Sequence, residues 1–275
     1  MNREGILNMV HIKMDEFTPP GVDLPFDDFI GPILDECAKE IAEVCPLHLL
    51  IPVPMVCYTT KRKIDTNIAT LTFNSSHNFQ LGSVVNISGI TTHLEYNGTF
   101  TITAVTTDSI SYALTHADET EATDTGGIVM FKTIFTDNKA YISKPSDFLR
   151  LYALRFPLWQ RTVIETTKPD TDAGRNQDNP YLASGIGRPS VVIKTAMPTG
   201  GSMGEYLICG KVETSTIPST ALYIKIKAPE ELPDSLIPAL SYLAAAKVLA
   251  ISKEFDLAKS AMDQYGLSLT QLAQS

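Results

Sequence analysis

The spacing of the apolar residues changes twice along this chain, and the change limits how the chain can be divided into domains. Helical patterns, with apolar residues three or four positions apart, occur near both ends. From Ile64 to Thr133 the apolar residues alternate instead with threonines and serines, and this block contains no cysteine. Alternation is typical of half-buried β-strands. The pattern predicts an inserted β-domain at residues 64–133 and a discontinuous host domain at residues 1–63 and 134–275.

Within the block, three short segments alternate clearly and are followed by a fourth apolar segment at residues 128–131. Asn97-Gly98 is a strong tight-turn signal ahead of one strand, and Gly126-Gly127 precedes the last. The alternating apolar residues are Ala69, Leu71 and Phe73, then Phe100, Ile102 and Ala104, then Ile110, Tyr112 and Leu114. Four or five short strands predict a small antiparallel sandwich or barrel.

The host segments predict helices at both ends and strands between them. One helix is predicted from about Asp27 to Cys45, and a much longer helical pattern runs from about Asp234 to a Gly266 cap. A break near Ser252-Lys253 would give two helices, whereas an unbroken one would be roughly 45 Å long. The apolar stripe of the first helix contains Ile30, Ile33, Cys37, Ile41 and Val44. The expected fold class is therefore α+β.

Charge and cysteine usage restrict the functional classes. The net charge of −9 argues against a surface that grips phosphates. We expect no signal peptide at the start of the chain, and no apolar run reaches the roughly 20 residues of a membrane span. The cysteines follow no disulfide or zinc spacing, which favours a reducing cytoplasm, and they are Cys37, Cys45, Cys57 and Cys209.

No catalytic constellation is visible in the sequence. The histidines are scattered over segments of different type, without metal-ligand spacing, and are interpreted as surface or turn residues: His11, His48, His77, His93 and His116. A Gly-x-Ser-x-Gly elbow is absent, and Gly204 to Gly210 lies one residue too far apart for a phosphate loop. We therefore expect no enzyme activity, no cofactor and no metal.

Three host segments carry a family resemblance: FDDFIGPILDECAKEIAEVCP at residues 26–46, KPSDFLRLYALRFPLWQRTV from Lys144, and LIPALSYLAAAKVLAISKEFDLAKSAMDQYGLSL from Leu236. They resemble the head-to-tail adaptor, or connector ring, proteins of tailed bacteriophages, most closely the ring proteins of crAss-like phages with short tails. The β-block, with YNGTFT from Tyr96, is similar to small Ig-like or barrel modules of phage structural proteins. The resemblance implies a helical adaptor core, in which an N-terminal helix packs with long C-terminal helices around a β region.

The resemblance also implies a function without catalysis. Such adaptors form homo-oligomeric rings, typically dodecamers, that bind the portal protein and adjoin other neck and tail rings. Double-stranded DNA passes through the lumen during genome ejection without sequence-specific binding. The implied location is the virion neck, after assembly in the bacterial cytoplasm and without a membrane. Related adaptors dock on the portal by the C-terminal tail, so the candidate docking residues are Leu267, Leu269, Leu272 and Ser275.

Three other readings are open from the sequence. A tail-side ring or tail-tube subunit would usually build its ring from a β-sheet, whereas here the helices carry the largest apolar stripes. A capsid or tail decoration protein would use the β-insert to bind glycan or another virion protein. An enzyme would need an acid/base constellation that the sequence lacks. We further expect the insert to project from the ring, so that its excision leaves a folded, ring-forming protein.

Overall fold

The protein is mixed α+β and separates into two compact units. The computed structural model describes residues 1–18, 27–124, 126–175, 185–214 and 216–274. One unit contains residues 1–51 and 224–275, and the other contains residues 52–223. Four longer helices belong to the first unit, whereas the second is built almost entirely of β-strands. The predicted fold class is confirmed at this level.

The helical unit is organised around one central helix. Its helices are α1 (Arg3–Phe17), α2 (Asp27–Val44), α4 (Ile237–Ile251) and α5 (Phe255–Gln274). Helix α4 packs against α1, α2 and α5. It is apolar on nearly every face, and its one buried hydroxyl, on Ser241, donates to the carbonyl of Ile237. A helix that is hydrophobic all round belongs in a core, and α4 occupies that place.

Sequence patterns located these helices with errors at three places. Helix α1 was not predicted, although it buries Ile6, Val10 and Met14. The inner face of α2 includes Leu34, while Val44 of the predicted stripe is 59% exposed. Gly266 does not end the last helix, because α5 continues to Gln274.

The break between α4 and α5 follows one of the two predicted alternatives. Ser252 caps α4, and Lys253 adopts a left-handed backbone with φ of 68°. That conformation is uncommon for a residue with a side chain, and it reverses the chain between the two helices. This part of the chain therefore forms two antiparallel helices and not a single helix of roughly 45 Å.

One described helical stretch, Asp234–Ile251, is long and apolar enough by length and composition to cross a membrane. This differs from the expectation that no apolar run reaches the length of a membrane span. Within the protein 61% of this stretch is buried, as expected for the core helix of a folded unit.

The β unit contains a closed antiparallel barrel of six strands. They are β2 (Val56–Asp65), β3 (Ile68–Phe73), β4 (Val84–Ser88), β5 (Gly98–Val105), β6 (Ser109–Ala113) and β8 (Ile128–Phe131). Their order is β3-β6-β5-β4-β8-β2, and a β2–β3 pairing closes the ring. Strand β7 (Glu119–Thr123) pairs with β2 beside the barrel. Closure removes the exposed edges that a small open sheet would present. Of the two predicted alternatives, a sandwich and a barrel, the barrel is confirmed.

Two details of the barrel differ from the sequence pattern. Of the predicted alternating residues, Ile102 is buried and Phe100 half-buried, whereas Ala104 is exposed, because the pairing of β5 with β6 shifts register between Ile102 and Ala104. Asn97-Gly98 does not form a two-residue hairpin. The Asn97 side chain instead accepts from the Ile90 N–H and donates to the Ile90 carbonyl, which closes the loop between β4 and β5.

Two smaller sheets complete the β unit. One has the order β12-β13-β10-β9, from strands at Val191–Ala196, Gly204–Gly210, Lys139–Ser143 and Thr133–Thr136. The other has the order β1-β14-β11, from strands at Val53–Pro54, Thr220–Lys225 and Phe148–Arg155. A four-residue helix, α3 (Asp172–Arg175), lies in the loop between β11 and β12. Residues 176–184 of that loop lie outside the described residues.

The barrel and the two sheets share one hydrophobic core. Phe131 of the barrel packs edge-on against Tyr223, which in turn stacks on Phe148. The hydroxyl of Tyr223 donates to Asp147 and accepts from Asn78, which joins a barrel loop to the same network. The compact unit therefore begins at residue 52 and ends at residue 223, whereas the predicted boundary at residue 64 lies inside β2.

The cysteines are all buried, and we predict that they are unreactive in the folded protein. Burial raises the pKa of the Cys37 and Cys57 thiols to about 12, so the nucleophilic thiolate is scarce near neutral pH. Native protein at pH 8 should react slowly with a thiol-specific chromogenic reagent. The full count of four thiols should appear after unfolding in guanidinium chloride. A rapidly labelled native thiol would contradict the burial described.

Candidate functional site

The first candidate site is an exposed apolar surface on α5. Phe255 and Met262 are seven residues apart, so they lie on the same side of the helix. They are 67% and 44% exposed. Leu269 continues the same line and is half-buried. A groove of 310 Å³ lies between α4 and α5, and Ala246, Ala250, Phe255, Ala258 and Met262 form its apolar lining. We call this region the α4–α5 surface.

The predicted docking residues do not form one continuous face. Leu267 is 56% exposed on another side of α5 from Leu269. Leu272 is half-buried, and its spacing places it in line with Ala258, Ala261 and Tyr265 on the side that faces the unit. Ser275 lies outside the described residues. Of the predicted set, only Leu269 belongs to the α4–α5 surface.

An ion-pair network adjoins this groove, because its central residue, Lys247, also lines the groove. Lys247 lies 2.7 Å from Glu40 and 3.0 Å from Glu36, both on α2. Partial burial acts to lower the pKa of Lys247, but its hydrogen bonds to the two carboxylates outweigh this effect and raise it. Burial also raises the pKa of Tyr265 on α5 to about 12. These groups hold α2 against α4, while Phe255 and Met262 of the α4–α5 surface remain exposed.

The second candidate site is a cluster of histidines and carboxylates beside the barrel. His93 Nδ1 lies 2.6 Å from Glu119 Oε1 and 2.9 Å from Glu95 Oε1. His116 Nε2 lies 3.3 Å from the same oxygen of Glu95. The ligand atoms of His93, Glu95 and Glu119 all lie within 4.8 Å of one another. We call these four residues the His/Glu cluster.

Barrel topology brings the cluster together. His93 and Glu95 belong to the loop that enters β5, which includes a 3-10 turn at Leu94–Tyr96. His116 and Glu119 follow β6 in the chain. Because β5 and β6 are antiparallel neighbours, the start of β5 and the end of β6 lie at the same end of the barrel. The loop closure by Asn97 fixes the position of the first pair.

Buried side chains hold Glu119 in one orientation. Its Oε2 accepts hydrogen bonds from Arg62 at 2.8 Å and from the Tyr96 hydroxyl at 3.0 Å. The guanidinium of Arg62 lies over the Tyr96 ring and 3.8 Å from Asp124. Burial, together with the hydrogen bond to Glu119, raises the pKa of Tyr96 and keeps it a donor. These contacts leave Oε1 of Glu119 directed at His93.

Glu95 is ionised under ordinary conditions. A hydrogen bond from its own backbone N–H, followed by the hydrogen bond with His93, lowers the pKa of the Glu95 carboxyl below its usual value. His116 lowers it further by its charge. The cluster therefore brings the His93 imidazole and two carboxylates together, and the His116 imidazole contacts Glu95 beside them.

Sequence reasoning separated these residues because it considered spacing along the chain. His93 and His116 were interpreted as isolated turn histidines, and the structure brings their side chains to the same carboxylate. The predicted strands β5 and β6 could have indicated the cluster, because an antiparallel hairpin brings the residues before its first strand close to the residues after its second. The other histidines lie elsewhere, and His77 contacts Ser109 and Phe79 instead.

A polar cleft of 450 Å³ in the β unit offers little chemistry. Its charged residues include Lys144, which is paired with Glu205 at 2.6 Å. The described lining contains serines but neither a histidine nor a cysteine. A serine without an adjacent base is a weak nucleophile, so this lining does not define an active site.

Neither a known protein-family model nor a curated protein sequence matches this chain at a significant level.

Proposed function

We propose that this chain is a non-enzymatic virion protein that forms a ring in the head-to-tail connector of a tailed bacteriophage. The observation that carries the proposal is the α4–α5 surface. Phe255 and Met262 of α5 stand exposed beside a largely apolar groove. Apolar patches of this kind on a folded protein mark contacts with other proteins. A second copy of the chain is the proposed occupant.

Ring closure gives this surface a geometric role. In a cyclic homo-oligomer each subunit contacts its neighbour head to tail, so one patch receives a different patch of the next copy. Exposed apolar residues on α5 supply one such patch, and the line of residues 255, 262 and 269 extends it along the helix. The ion pairs of Lys247 with α2 fix α4, the second wall of the groove, within its own subunit.

The charge of the chain suits a lumen that DNA traverses. Each copy carries a net charge of −9, and a dodecamer would carry twelve times that charge. A negative lining repels the phosphate backbone, which prevents adhesion during genome passage. The same charge disfavours a role in which the protein grips nucleic acid.

The first test concerns assembly. We expect the Phe255→Asp/Met262→Asp protein to remain monomeric where the unaltered protein forms rings, alone or with the portal protein, because charged groups cannot be buried unpaired. Negative-stain microscopy and light scattering after size exclusion measure the outcome. The control Leu81→Asp changes a residue of the β unit that is 68% exposed. Rings formed equally by the double variant would contradict the proposal.

The second test concerns the portal. Replacing Leu267, Leu269 and Leu272 by alanine preserves helix propensity and removes the apolar side chains. We expect this triple variant to lose capture by immobilised portal protein while its far-UV circular dichroism is unchanged. A companion deletion of residues 267–275 also removes Ser275. Undiminished capture by both proteins would exclude the tail as the docking segment.

A further inference from the structure

We infer that the His/Glu cluster is a binding site for a divalent transition-metal ion that fastens two loops of the barrel together. The site takes Nδ1 of His93 and one oxygen from each of Glu95 and Glu119, and His116, which contacts Glu95, is the candidate fourth ligand. This inference is independent of the proposed ring function. It rests on the hydrogen-bonding geometry of the four side chains and on the buried groups behind them.

The first argument concerns the tautomer of His116. Its Nδ1 lies 3.0 Å from the carbonyl oxygen of Ala117, which can only accept, so Nδ1 carries the proton. In the neutral ring Nε2 is then an acceptor. That nitrogen lies 3.3 Å from Glu95 Oε1, which is also an acceptor. Either a proton on Nε2 or a metal ion bound by both atoms satisfies these two lone pairs.

The second argument concerns His93. Its Nδ1 faces oxygens of two different carboxylates, at 2.6 Å and 2.9 Å. A single N–H can satisfy one of these oxygens well, and it leaves two carboxylates close together without full compensation. A metal ion bound by the nitrogen and both oxygens satisfies all three atoms at once.

The third argument is the support behind Glu119. Arg62 and Tyr96 are both buried, and each donates to the Oε2 of Glu119. Hydrogen bonds of this kind orient a ligating carboxylate and are a regular feature of metal sites. Behind the cluster, Nε of Arg62 and Oδ2 of Asp124 are buried without a hydrogen-bond partner. Arg62 is paired with both Glu119 and Asp124, whereas Glu95 faces the two histidines, so a cation at the cluster would improve the balance of charge.

The donor set identifies the class of ion. Two imidazole nitrogens and two carboxylate oxygens suit Zn²⁺ and its neighbours, which bind these atoms at about 2.0–2.2 Å. Ca²⁺ and Mg²⁺ prefer sites made of oxygen alone. His93, Glu95 and Glu119 supply three ligands, and a tetrahedral ion bound here would take its fourth from His116 or from water.

The two ligand pairs come from different connections. His93 and Glu95 precede β5, whereas His116 and Glu119 follow β6. An ion held by His93 and Glu95 together with Glu119 would cross-link these segments at one end of the barrel. Since it binds the folded state alone, the ion should raise the midpoint of thermal unfolding by about 5 °C at saturation.

Zinc titration of the full-length, chelator-treated protein tests the inference. We expect calorimetry to show one Zn²⁺ bound per chain, and His93→Ala or Glu95→Gln to weaken that binding by about 100-fold or more. Tyr96→Phe, which removes one donor to Glu119, should weaken it by about 10-fold. The matched control His48→Ala removes a histidine of the helical unit and should bind as the unaltered protein does.

Cobalt provides a second readout that separates ligation from folding. Co²⁺ in a tetrahedral site of this kind gives strong visible absorption, which should appear in the unaltered protein and be absent from Glu95→Gln. Because Glu95 is part of an exposed loop, its isosteric replacement should leave the circular dichroism unchanged. The inference is overturned if the unaltered protein takes up no Zn²⁺, or if both ligand variants bind Zn²⁺ as tightly as it does.

Discussion

Excision of residues 64–133 will leave a β unit that no longer folds cooperatively. The removed segment carries roughly half of the buried residues in the shared core, including Leu71, Val85, Tyr112 and Phe131. It also removes the partner strands of β2, which would keep only residues 56–63. The remaining sheets would expose Phe148 and Tyr223 to water, at about 25 cal/mol for each square ångström of apolar surface. This outcome is opposite to the expectation for a dispensable insert.

The chain carries its own reporter for this experiment. Trp159 is the single tryptophan, it lies outside the excised segment, and it is 1% exposed. We expect its fluorescence emission to shift to longer wavelength in the excised protein, and the thermal transition of the β unit to broaden or disappear. The helical signal in far-UV circular dichroism, which arises mainly from the other unit, serves as the internal control. A buried Trp159 with a sharp transition would instead support the boundaries at residues 64 and 133.

Trp159→Ala will destabilise the β unit by about 3–5 kcal/mol. The indole packs edge-on against Phe156, with ring centroids 5.2 Å apart, and its Nε1–H donates to the Gly210 carbonyl at 3.1 Å. Truncation leaves a large cavity and a buried carbonyl without a donor, and both cost free energy. A loss of this size is a large fraction of the 5–15 kcal/mol that typically stabilises a domain.

The neighbouring residue supplies the control for this variant. Leu158 is 44% exposed, so Leu158→Ala should change the free energy of unfolding by less than about 1 kcal/mol. Trp159→Phe separates the two effects, since it keeps most of the packing and loses the N–H donor. Urea unfolding followed by circular dichroism measures all three proteins. Equal midpoints for Trp159→Ala and Leu158→Ala would contradict the packing described.

Local patterns predicted elements well where burial follows a regular period. The alternation of Ala69, Leu71 and Phe73 gave β3 correctly, because each of these residues faces the barrel core. The pattern failed for Ala104, where a register shift turns the side chain outward. The predicted domain boundary also fell inside β2. This strand belongs to both the barrel and the larger core, so the spacing of its apolar residues does not change at its middle. Contacts between residues far apart in the chain, such as that of Phe131 with Tyr223, join the barrel to the rest of the core, and a short stretch of sequence does not show them.

The candidate functional sites could likewise be predicted only in part from the sequence. The tail leucines could be proposed from sequence, but only the helix geometry separates Leu269 from Leu267 and Leu272. The His/Glu cluster could not be found by spacing, because its two pairs are joined by a hairpin and meet across it. Asn97 was predicted to form a tight turn, but its side chain instead closes the loop that carries His93 and Glu95.

The connectivity of the two units has a consequence for synthesis on the ribosome. Helices α1 and α2 are made first, but α4, which covers both, follows the whole of residues 52–223. At about 5–20 residues per second, translation of that interval takes on the order of ten to thirty seconds. During this time Leu34 and Ile41 have no helix to cover them, while the β unit can already fold. The nascent helical unit is therefore the part of this chain that depends most on protection by chaperones.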